Sequence, residues 1–453
     1  MDISGIKGII KSHLPSHDKF VKNAMIAERY YRNENDILNI KKDADKNTLR
    51  NADNKIPSNF HGLLVNQKAS YMFTAPPLFD MGDAKSNKKI AKILGDAYAK
   101  RCKDLCINAS NCGIAWVHYW INQSGDFKYT VMDSKQIIPV WSQNLDKELI
   151  AVIRTYRVED KEKTYIVYEY WDENSCFAFR HESDENLEDG LSEYTMFGEA
   201  DHGSVEYPHN LGHVPFIPFF NNNIIASDLD NIKLHIDAYD KVYSGFVDDL
   251  EDIQEVIFVL AGYGGSDLDT FVRELKEYKA IKIDTDDSTG NGVSTLTINI
   301  PVEAREKLLT MTRKEIFEKG QGVDPQPKDF GNASGVALKY LYSLLELKAG
   351  LAETEFKLGF GELVRAICRY LNAECGAIIQ TWTRTAITND AELAEICKDS
   401  MYIISNKSIL KNHPFVEDAD KEEEQIIEEQ TVAQSQAQDY NNAFNYDSGG
   451  GNG

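Results

Sequence analysis

The stretch IKLHIDAYDKVYSGFVDDLEDIQEVIFVLA, residues 232–261, carries the strongest periodic signal in the chain. Ser227 stands where an N-cap belongs, and Asp228 and Asp230 lie in the first turn, where carboxylates favour the helix dipole. The pattern predicts one helix from Asp228 to Ala261, roughly 50 Å long at about 1.5 Å per residue, which needs neighbours to be stable. Its apolar positions alternate at spacings of four and three residues, the repeat of a packed helix: Ile232, Ile236, Tyr239, Tyr243, Phe246, Leu250, Ile253, Ile257 and Leu260.

The residues after this stretch predict a second helix that runs back beside the first. Glycines at 262, 264 and 265 end the first helix. A short helix over 271–275 and strands over 280–284 and 294–300 follow, joined by the turn-rich DTDDSTGNG. Pro301 then opens a helix that reaches Lys319. The simplest arrangement is an antiparallel helical stalk with a small α/β module at its tip.

Further downstream, irregular and helical segments alternate. GQGVDPQPKDFGNASG, residues 320–335, is rich in Gly, Pro and turn formers and predicts a loop. A long helix over 335–371 follows, in which Gly350, Gly359 and Gly361 suggest a kink. Residues 389–438 read as helical and strongly acidic, and the terminal SQAQDYNNAFNYDSGGGNG lacks periodicity and is expected to be disordered.

Upstream of the stalk, the pattern changes from helical to β. Helices are expected in the first 73 residues and an amphipathic helix over 88–111. The apolar period then changes from 3.6 to 2, with turn residues between the segments, which predicts an antiparallel β-rich unit. The predicted strands cover 114–121, 127–132, 137–141, 149–158, 164–171 and 176–181.

Composition narrows the class of protein. The chain has 453 residues, 42% hydrophobic and 27% charged, which is typical of a multi-domain globular protein. It offers no apolar run long enough for a membrane span and no secretory signal, so we expect it to stay in the cytoplasm. A formal charge of −23 argues against tight binding of nucleic acid through phosphate neutralisation, but an acidic wall would let DNA slide past.

Residues that could carry chemistry are sparse, and we expect no catalytic residue, metal or cofactor. Cys102, Cys106 and Cys112 lack paired C-x2-C units and read as buried packing residues. The histidines at 202, 209 and 213 lie among Gly and Pro, where no helix would align them on a metal. The Gly-rich segments lack the phosphate-binding lysine motif, and no nuclease or hydrolase pattern is present.

Taken together, several stretches resemble the portal family of tailed bacteriophages, the branch found in phages of Gram-positive hosts. They cover about residues 20 to 430, and their order and spacing carry the resemblance, since no single motif does. The stretches are YYRNENDILNIKK and NKIPSNFHGLLVNQKASYMFTAPP within 30–77, HNLGHVPFIPFFNN at 209–222, IDAYDKVYSGFVDDLED at 236–252 and GNASGVALKYLYSLLELKA at 331–349.

The resemblance implies an α+β portal-type subunit that assembles into a ring, usually of twelve copies, around an axial channel. It also implies a set of regions along the chain. These are N-terminal helices and a β-rich wing at 1–226, stem helix 1 at 227–262, an α/β clip at 263–300, stem helix 2 at 301–319, a tunnel loop at 320–334, a long kinked wing helix and strand at 335–384, a helical crown at 385–430 and a disordered tail at 431–453.

The resemblance also implies partners and candidate site residues. Double-stranded DNA would pass through the channel, and terminase, the head-tail adaptor, and the major capsid and scaffolding proteins would contact the ring in the virion. ATP hydrolysis would belong to terminase. Candidates for the tunnel loop are Gly322, Val323, Asp324, Lys328, Asp329 and Asn332, and those for docking of terminase or adaptor at the clip are Asp284, Asp286 and Asp287. Candidates for stem packing are Ile232, Ile236, Tyr239, Tyr243, Phe246, Leu250 and Ile253.

Other readings stay open from the residues alone. The heptads would also suit a coiled-coil scaffold or adaptor, which predicts a dimer or trimer. A nuclease or ATPase of the packaging system would predict metal-dependent cleavage or nucleotide turnover. The irregular segment 320–334 could also serve only to join two helices.

Overall fold

The computed structural model contains two compact units: residues 1–324 with 344–385, and residues 325–343 with 386–453. The structure describes residues 3–41, 52–160, 162–185, 187–197, 203–253, 257–260, 277, 280–282, 293–296, 301–325, 335–384, 390–416 and 418–446.

The first unit begins with helices whose ends are set by local side chains. They are α1 (Ile3–Tyr31), α2 (Phe60–Met72), α3 (Ala84–Leu94) and α4 (Tyr98–Cys112). The side chain of Asn59 caps α2 by accepting from the Gly62 N–H. The expectation of one helix over 88–111 was wrong, because Gly95 takes a left-handed φ of 71° and separates α3 from α4.

The predicted β-rich unit is confirmed, with antiparallel strands within two residues of their expected ends. The strands up to the stem are β1 (Leu78–Asp80), β2 (Ile114–Ile121), β3 (Phe127–Met132), β4 (Ile137–Trp141), β5 (Leu149–Asp160), β6 (Lys163–Trp171), β7 (Ser175–Glu182), β8 (Ser192–Glu193), β9 (Glu206–Pro208) and β10 (Phe216–Phe220), with a short helix α5 (Leu187–Gly190) before β8. Strands β2 to β10 form one sheet of order β10-β2-β3 and another of order β4-β5-β6-β7-β8, with β9 also paired to β7.

The two sheets are joined by an aromatic and aliphatic core. Trp116 on β2 is 1% exposed and packs with Ile137 of β4, Val152 of β5 and Phe216 of β10. On the other side of the second sheet, Ile6 of α1 lies fully buried. The alternation of β-branched and aromatic residues therefore produces strands whose inner faces are covered by another layer.

The two helices of the predicted stem are α6 (Lys233–Ile253) and α7 (Val302–Gly320), and their predicted antiparallel pairing is confirmed. Ile232 and Ile236, at the start of α6, share a core with Ile316 at the end of α7. At the opposite ends, Arg305 donates to the Gly245 carbonyl at 3.2 Å and pairs with Asp249.

The extent of stem helix 1 was predicted wrongly at both ends. Residues 228–232 form a turn instead of the first helical turn, because the Asp228 side chain is drawn into a buried ion pair. The run Ile257–Leu260 is the strand β11, not helix. Its β-branched and aromatic residues favour a strand, and it pairs in parallel with β12 (Ala280–Lys282) and antiparallel with β13 (Val293–Leu296). The predicted clip thus contains a three-stranded sheet, and one of its strands comes from the end of the expected stem helix. The expected helix at 271–275 lies outside the described residues.

The long helix predicted after the loop is α8 (Gly335–Leu371), and helical structure is continuous through all three internal glycines. Gly359 has a packing role, since a Cβ there would lie 2.7 Å from the ring of Phe219. The chain then forms β14 (Ile379–Thr381), which pairs with β1.

The second unit contains α9 (Asp390–Asp399), α10 (Asn406–Asn412) and α11 (Ala419–Tyr446), so the helical character of the predicted crown is confirmed. The prediction of disorder from residue 431 was wrong up to residue 446, because α11 continues through these positions. The segment TVAQSQAQ is rich in Ala and Gln and lacks Gly and Pro, so its weak periodicity concealed an adequate helix propensity.

Candidate functional site

A buried cluster of charges lies at the foot of the stem, where the chain enters α6. Lys68 on α2 has a side chain only 2% exposed, and its Nζ lies 3.2 Å from Oδ2 of Asp228. Lys348 on α8 reaches the same oxygen at 3.1 Å. A carboxylate shared by two buried ammonium groups connects a wing helix, the entry to the stem and the long helix.

Neutral polar groups complete this cluster. The Lys68 ammonium also donates to Ser110 Oγ on α4 at 3.1 Å. Asn221, just after β10, donates to Asp228 Oδ1 at 2.9 Å. Lys348 donates to the Gly320 carbonyl at 2.9 Å, at the last residue of α7. The cluster thus holds the beginning of the first stem helix and the end of the second at one place in the wing.

Burial and neighbouring charges set the protonation of these groups. Burial by itself would raise the pKa of Asp228, but the charges of Lys348 and Lys68 outweigh it and hold that pKa far below its usual range. Burial lowers the pKa of Lys348. His61 on α2 donates from Nε2 to Asn111 at 2.9 Å, and its burial lowers its pKa to about 4. His61 is therefore neutral at pH 7.

The first residues of the candidate tunnel loop are anchored to the wing. The amide of Gln67 on α2 donates to the Val323 carbonyl at 2.7 Å and accepts from the Val323 N–H at 3.0 Å. The Arg313 guanidinium on α7 donates two hydrogen bonds to the Asp324 carboxylate, from Nε to Oδ2 at 2.9 Å and from Nη2 to Oδ1 at 2.6 Å. Gly322 lies so close to Leu64 that a Cβ would approach its Cδ2 to 2.1 Å. Gly322, Val323 and Asp324 thus form a fixed base, whereas Lys328, Asp329 and Asn332 lie outside the described residues.

The predicted stem-packing residues divide into a buried half and an exposed half. Ile232 and Ile236 are at most 1% exposed, and Tyr239 packs edge-on against Phe60 with ring centroids 5.0 Å apart. Tyr243 and Leu250, further along the helix, are 38% and 47% exposed. Phe246 is partly buried beneath the Arg305 guanidinium, and the side chain of Ile253 lies outside the described residues. The apolar stripe therefore continues past the point where the subunit itself can cover it.

Sequence reasoning missed the cluster and the loop anchor. Asp228 was assigned to the helix dipole, although it serves as the shared carboxylate of the buried ion pairs. Lys68 lies on the same helix as the apolar residues Leu64, Val65, Ala69 and Met72, and a lysine among such positions is a weak signal for a buried charge. Gln67 and Lys348 lie far apart in sequence from their partners and gave no such signal.

The other candidate sites give a mixed outcome. Asp284, Asp286 and Asp287 lie outside the described residues, although the strands on either side of them are paired to β11. The prediction that Cys102, Cys106 and Cys112 are buried packing residues is confirmed, and burial raises the pKa of Cys106 to about 11.

Across the part of the chain that the structure describes, acidic, His and Cys side chains form no group able to hold a metal ion. Among those same residues, no helix combines the length and apolar character of a membrane span.

Comparisons with known proteins match the chain over most of its length. A portal protein of Clostridium phage phiCD119 is 41% identical, with 98% of this chain and 99% of that protein aligned. A portal protein of Bacillus phage SPP1 is 29% identical, with 94% of this chain and 86% of that protein aligned. Among solved structures, a chain from the neck of a native GTA particle is 12% identical with a TM-score of 0.36, covering 77% of this chain and 88% of that chain. The family model for phage portal proteins of the SPP1 Gp6-like type matches residues 10–436, and the chain belongs to that family.

Proposed function

We propose that the chain is the subunit of a ring-shaped portal that stands at a capsid vertex and forms the channel for DNA packaging and ejection. The observation that carries this proposal is the match to the phage portal family over residues 10–436. That family is structural, so the chain acts by forming a passage and not by catalysis. Its place is in the virion, with assembly in the host cytoplasm.

The exposed half of the stem supports assembly into a ring. Tyr243 and Leu250 on α6 are uncovered in the subunit, and the same holds for apolar residues of α7: Val302, Leu308 and Met311, at 45%, 48% and 57% exposure. Apolar side chains repeated along a helix pair favour burial against another helix pair. Neighbouring copies around a ring, twelve in the arrangement we propose, would supply that cover. A coiled-coil dimer would account for the helix pair but not for the β-rich wing or the clip.

We assign the regions of the subunit in the order that the family resemblance implies. We assign α1 to α4 and the two large sheets to the wing, α6 and α7 to the stem, and the β11 sheet to the clip. We assign the tunnel loop to residues 320–334, with Gly322, Val323 and Asp324 as its base, the long helix α8 to the wing, and α9 to α11 to the crown. The turn with Asp284, Asp286 and Asp287 would face terminase during packaging and the head-tail adaptor afterwards, while capsid and scaffolding proteins would meet the wing.

Charge supports a passage through which DNA slides. Each copy carries a formal charge of −23, so a channel wall that shares this excess repels the phosphate backbone and disfavours binding. The tunnel loop would present Lys328, Asp329 and Asn332 to the duplex from the base formed by Gly322, Val323 and Asp324. A firmly held base supports this role because it fixes the point at which the loop leaves the stem.

The ring is tested by removing the exposed apolar stripe of the stem. The double substitution Tyr243→Gln and Leu250→Gln leaves the subunit core untouched, so we expect folded subunits with an unchanged circular dichroism spectrum that no longer form rings in native mass spectrometry. Lys241→Gln, also on the exposed surface of α6, is the matched control and should leave the rings intact. Wild-type ring formation by the double variant would contradict the assignment of this stripe to the subunit interface.

The loop is tested separately by function. Replacing residues 326–332 with Gly and Ser at constant length keeps the Val323 and Asp324 anchors. We expect rings to assemble normally and DNA packaging to fall. Normal packaging would show that the segment only joins two helices.

A further inference from the structure

Helix α3 carries a row of lysines on one side. Lys85, Lys88, Lys89 and Lys92 occupy positions i, i+3, i+4 and i+7, which align on one face of an α-helix. All four side chains are exposed. In a chain with a formal charge of −23, this lysine face is a local concentration of positive charge.

The fold holds the lysine face outwards. Ile90 and Leu94, on the opposite side of α3, are 2% and 4% exposed and belong to the core formed with α2, α4 and α8. The Asp83 side chain caps the helix by accepting from the N–H groups of Lys85 and Ser86. The helix cannot rotate its lysines inwards without exposing this apolar side.

The nearby carboxylates that the structure describes make their hydrogen bonds to neutral donors and form no ion pair with the lysines of the face. Asp80 accepts from the Asn87 side chain and from the Gly82 N–H, both at 2.8 Å. Asp83, although it attracts Lys85 at longer range, is occupied by the cap and by the Ser86 hydroxyl at 2.7 Å. Within the described residues, no ion pair involves any lysine of this face. The four ammonium groups can therefore contact a partner without breaking an ion pair, although Asp80 and Asp83 keep their negative charges beside the face.

We propose that the lysine face of α3 binds the phosphate backbone of double-stranded DNA. The four ammonium groups spread over roughly 10 Å along the helix axis, at about 1.5 Å per residue. Duplex DNA presents about one negative charge per 1.7 Å of its axis, so each lysine can meet a phosphate. Lysine is a point charge on a flexible stem and suits phosphates in any sequence.

The composition of the face favours DNA over an acidic protein. Protein interfaces are depleted in lysine at their centres and need apolar or aromatic anchors. The exposed residues among these lysines include only Ala84 and Ala91 as apolar side chains, and both are small. Contact with DNA needs no such anchor.

The acidity of the rest of the chain does not prevent this contact. At physiological salt, charges further than about 8 Å from the face are largely screened, so a phosphate there responds to the lysines. Each copy in a ring would add another weak contact to the same DNA, which raises the overall affinity.

The experiment measures binding of the full-length chain to a short fluorescent duplex of arbitrary sequence over a range of salt concentrations. The variant replaces Lys85, Lys88, Lys89 and Lys92 with Gln. The control replaces Lys19, Lys22, Lys147 and Lys398 with Gln, which removes the same charge from scattered exposed positions. Both proteins should keep the wild-type melting temperature and assembly state.

The wild-type chain and the control should bind the duplex with a strong salt dependence. The face variant should bind at least about ten-fold more weakly at low salt, with a slope of log K against log salt smaller by about 3 to 4, one contact per lysine. Equal losses in the two variants, or no duplex binding by the wild type, would overturn the proposal. Binding of polyglutamate but not DNA at the face would overturn it in favour of a protein site. Ring formation by all three proteins keeps this result separate from the portal assignment.

Discussion

At the residue scale, the two ammonium groups of Lys68 and Lys348 converge on one oxygen of Asp228. Taking charges out of water costs several kcal/mol per ion, and the shared carboxylate is what offsets that cost here. The carboxylate of Asp228 therefore contributes more to the free energy of unfolding than either lysine alone. The cluster fixes the positions at which the first stem helix begins and the second ends.

Substitutions in this cluster should show that asymmetry. Asp228→Asn leaves two buried cations without a counter-charge, and we expect it to lower the free energy of unfolding by about 3–5 kcal/mol. Lys348→Met leaves the Lys68–Asp228 pair in place and should cost only about 1–3 kcal/mol, for the lost donor to the Gly320 carbonyl. Urea denaturation of the two variants measures the difference. A larger cost for Lys348→Met would show that the cluster does not depend on the carboxylate.

His61 makes the stability depend on pH. Its pKa is lowered from 6.5 to about 4 in the folded chain, so the unfolded chain takes up a proton first as the pH falls. The free energy of unfolding should therefore decrease between pH 6.5 and 4, by about 1.4 kcal/mol per pH unit for this histidine. His118, also lowered to about 4 by burial, adds to the same trend.

The pH prediction is measured by thermal melting across this range. The glutamine of His61→Gln can still donate to Asn111. In this variant, the loss of stability between pH 6.5 and 4 should be smaller by the amount that one histidine contributes. Parallel curves for wild type and His61→Gln would mean that folding leaves the pKa of His61 unchanged.

At the element scale, two glycines of α8 should respond to the same change with opposite signs. A Cβ at Gly350 meets no atom within 4 Å, so Gly350→Ala should stabilise by about 0.5–1 kcal/mol through its better helix propensity. A Cβ at Gly359 would lie 2.7 Å from the fully buried ring of Phe219, so Gly359→Ala should cost about 1–3 kcal/mol. The free energies of unfolding of both variants decide this. Effects of the same sign would remove the packing explanation for Gly359.

The helices and strands show which parts of the fold can be predicted from the sequence alone. The antiparallel stem pair and the wing strands followed from period and turn residues, which report local structure directly. The end of stem helix 1 could not be predicted in this way, because Ile257 and Leu260 fit a heptad and a strand equally well. Only their pairing with residues far along the chain selects the strand. The anchor of Val323 on Gln67 likewise joins residues 256 positions apart, which no local pattern reveals.

At the scale of the whole molecule, charge and assembly are linked. A chain with a formal charge of −23 repels its own copies, so a ring requires enough apolar contact to overcome that repulsion. The exposed apolar residues of α6 and α7 can provide this contact between copies. Raising the salt concentration should favour ring formation, because salt screens the repulsion between the acidic chains. The order of regions and the ring came from the family resemblance, since a single chain holds no direct signal for the number of its copies.

The most direct measurement is electron microscopy of the purified full-length chain, supported by native mass spectrometry. The account predicts annular particles with a central channel wide enough for a DNA duplex and a mass near twelve subunits. Dimers or trimers without annular particles would contradict it and favour a coiled-coil scaffold or adaptor.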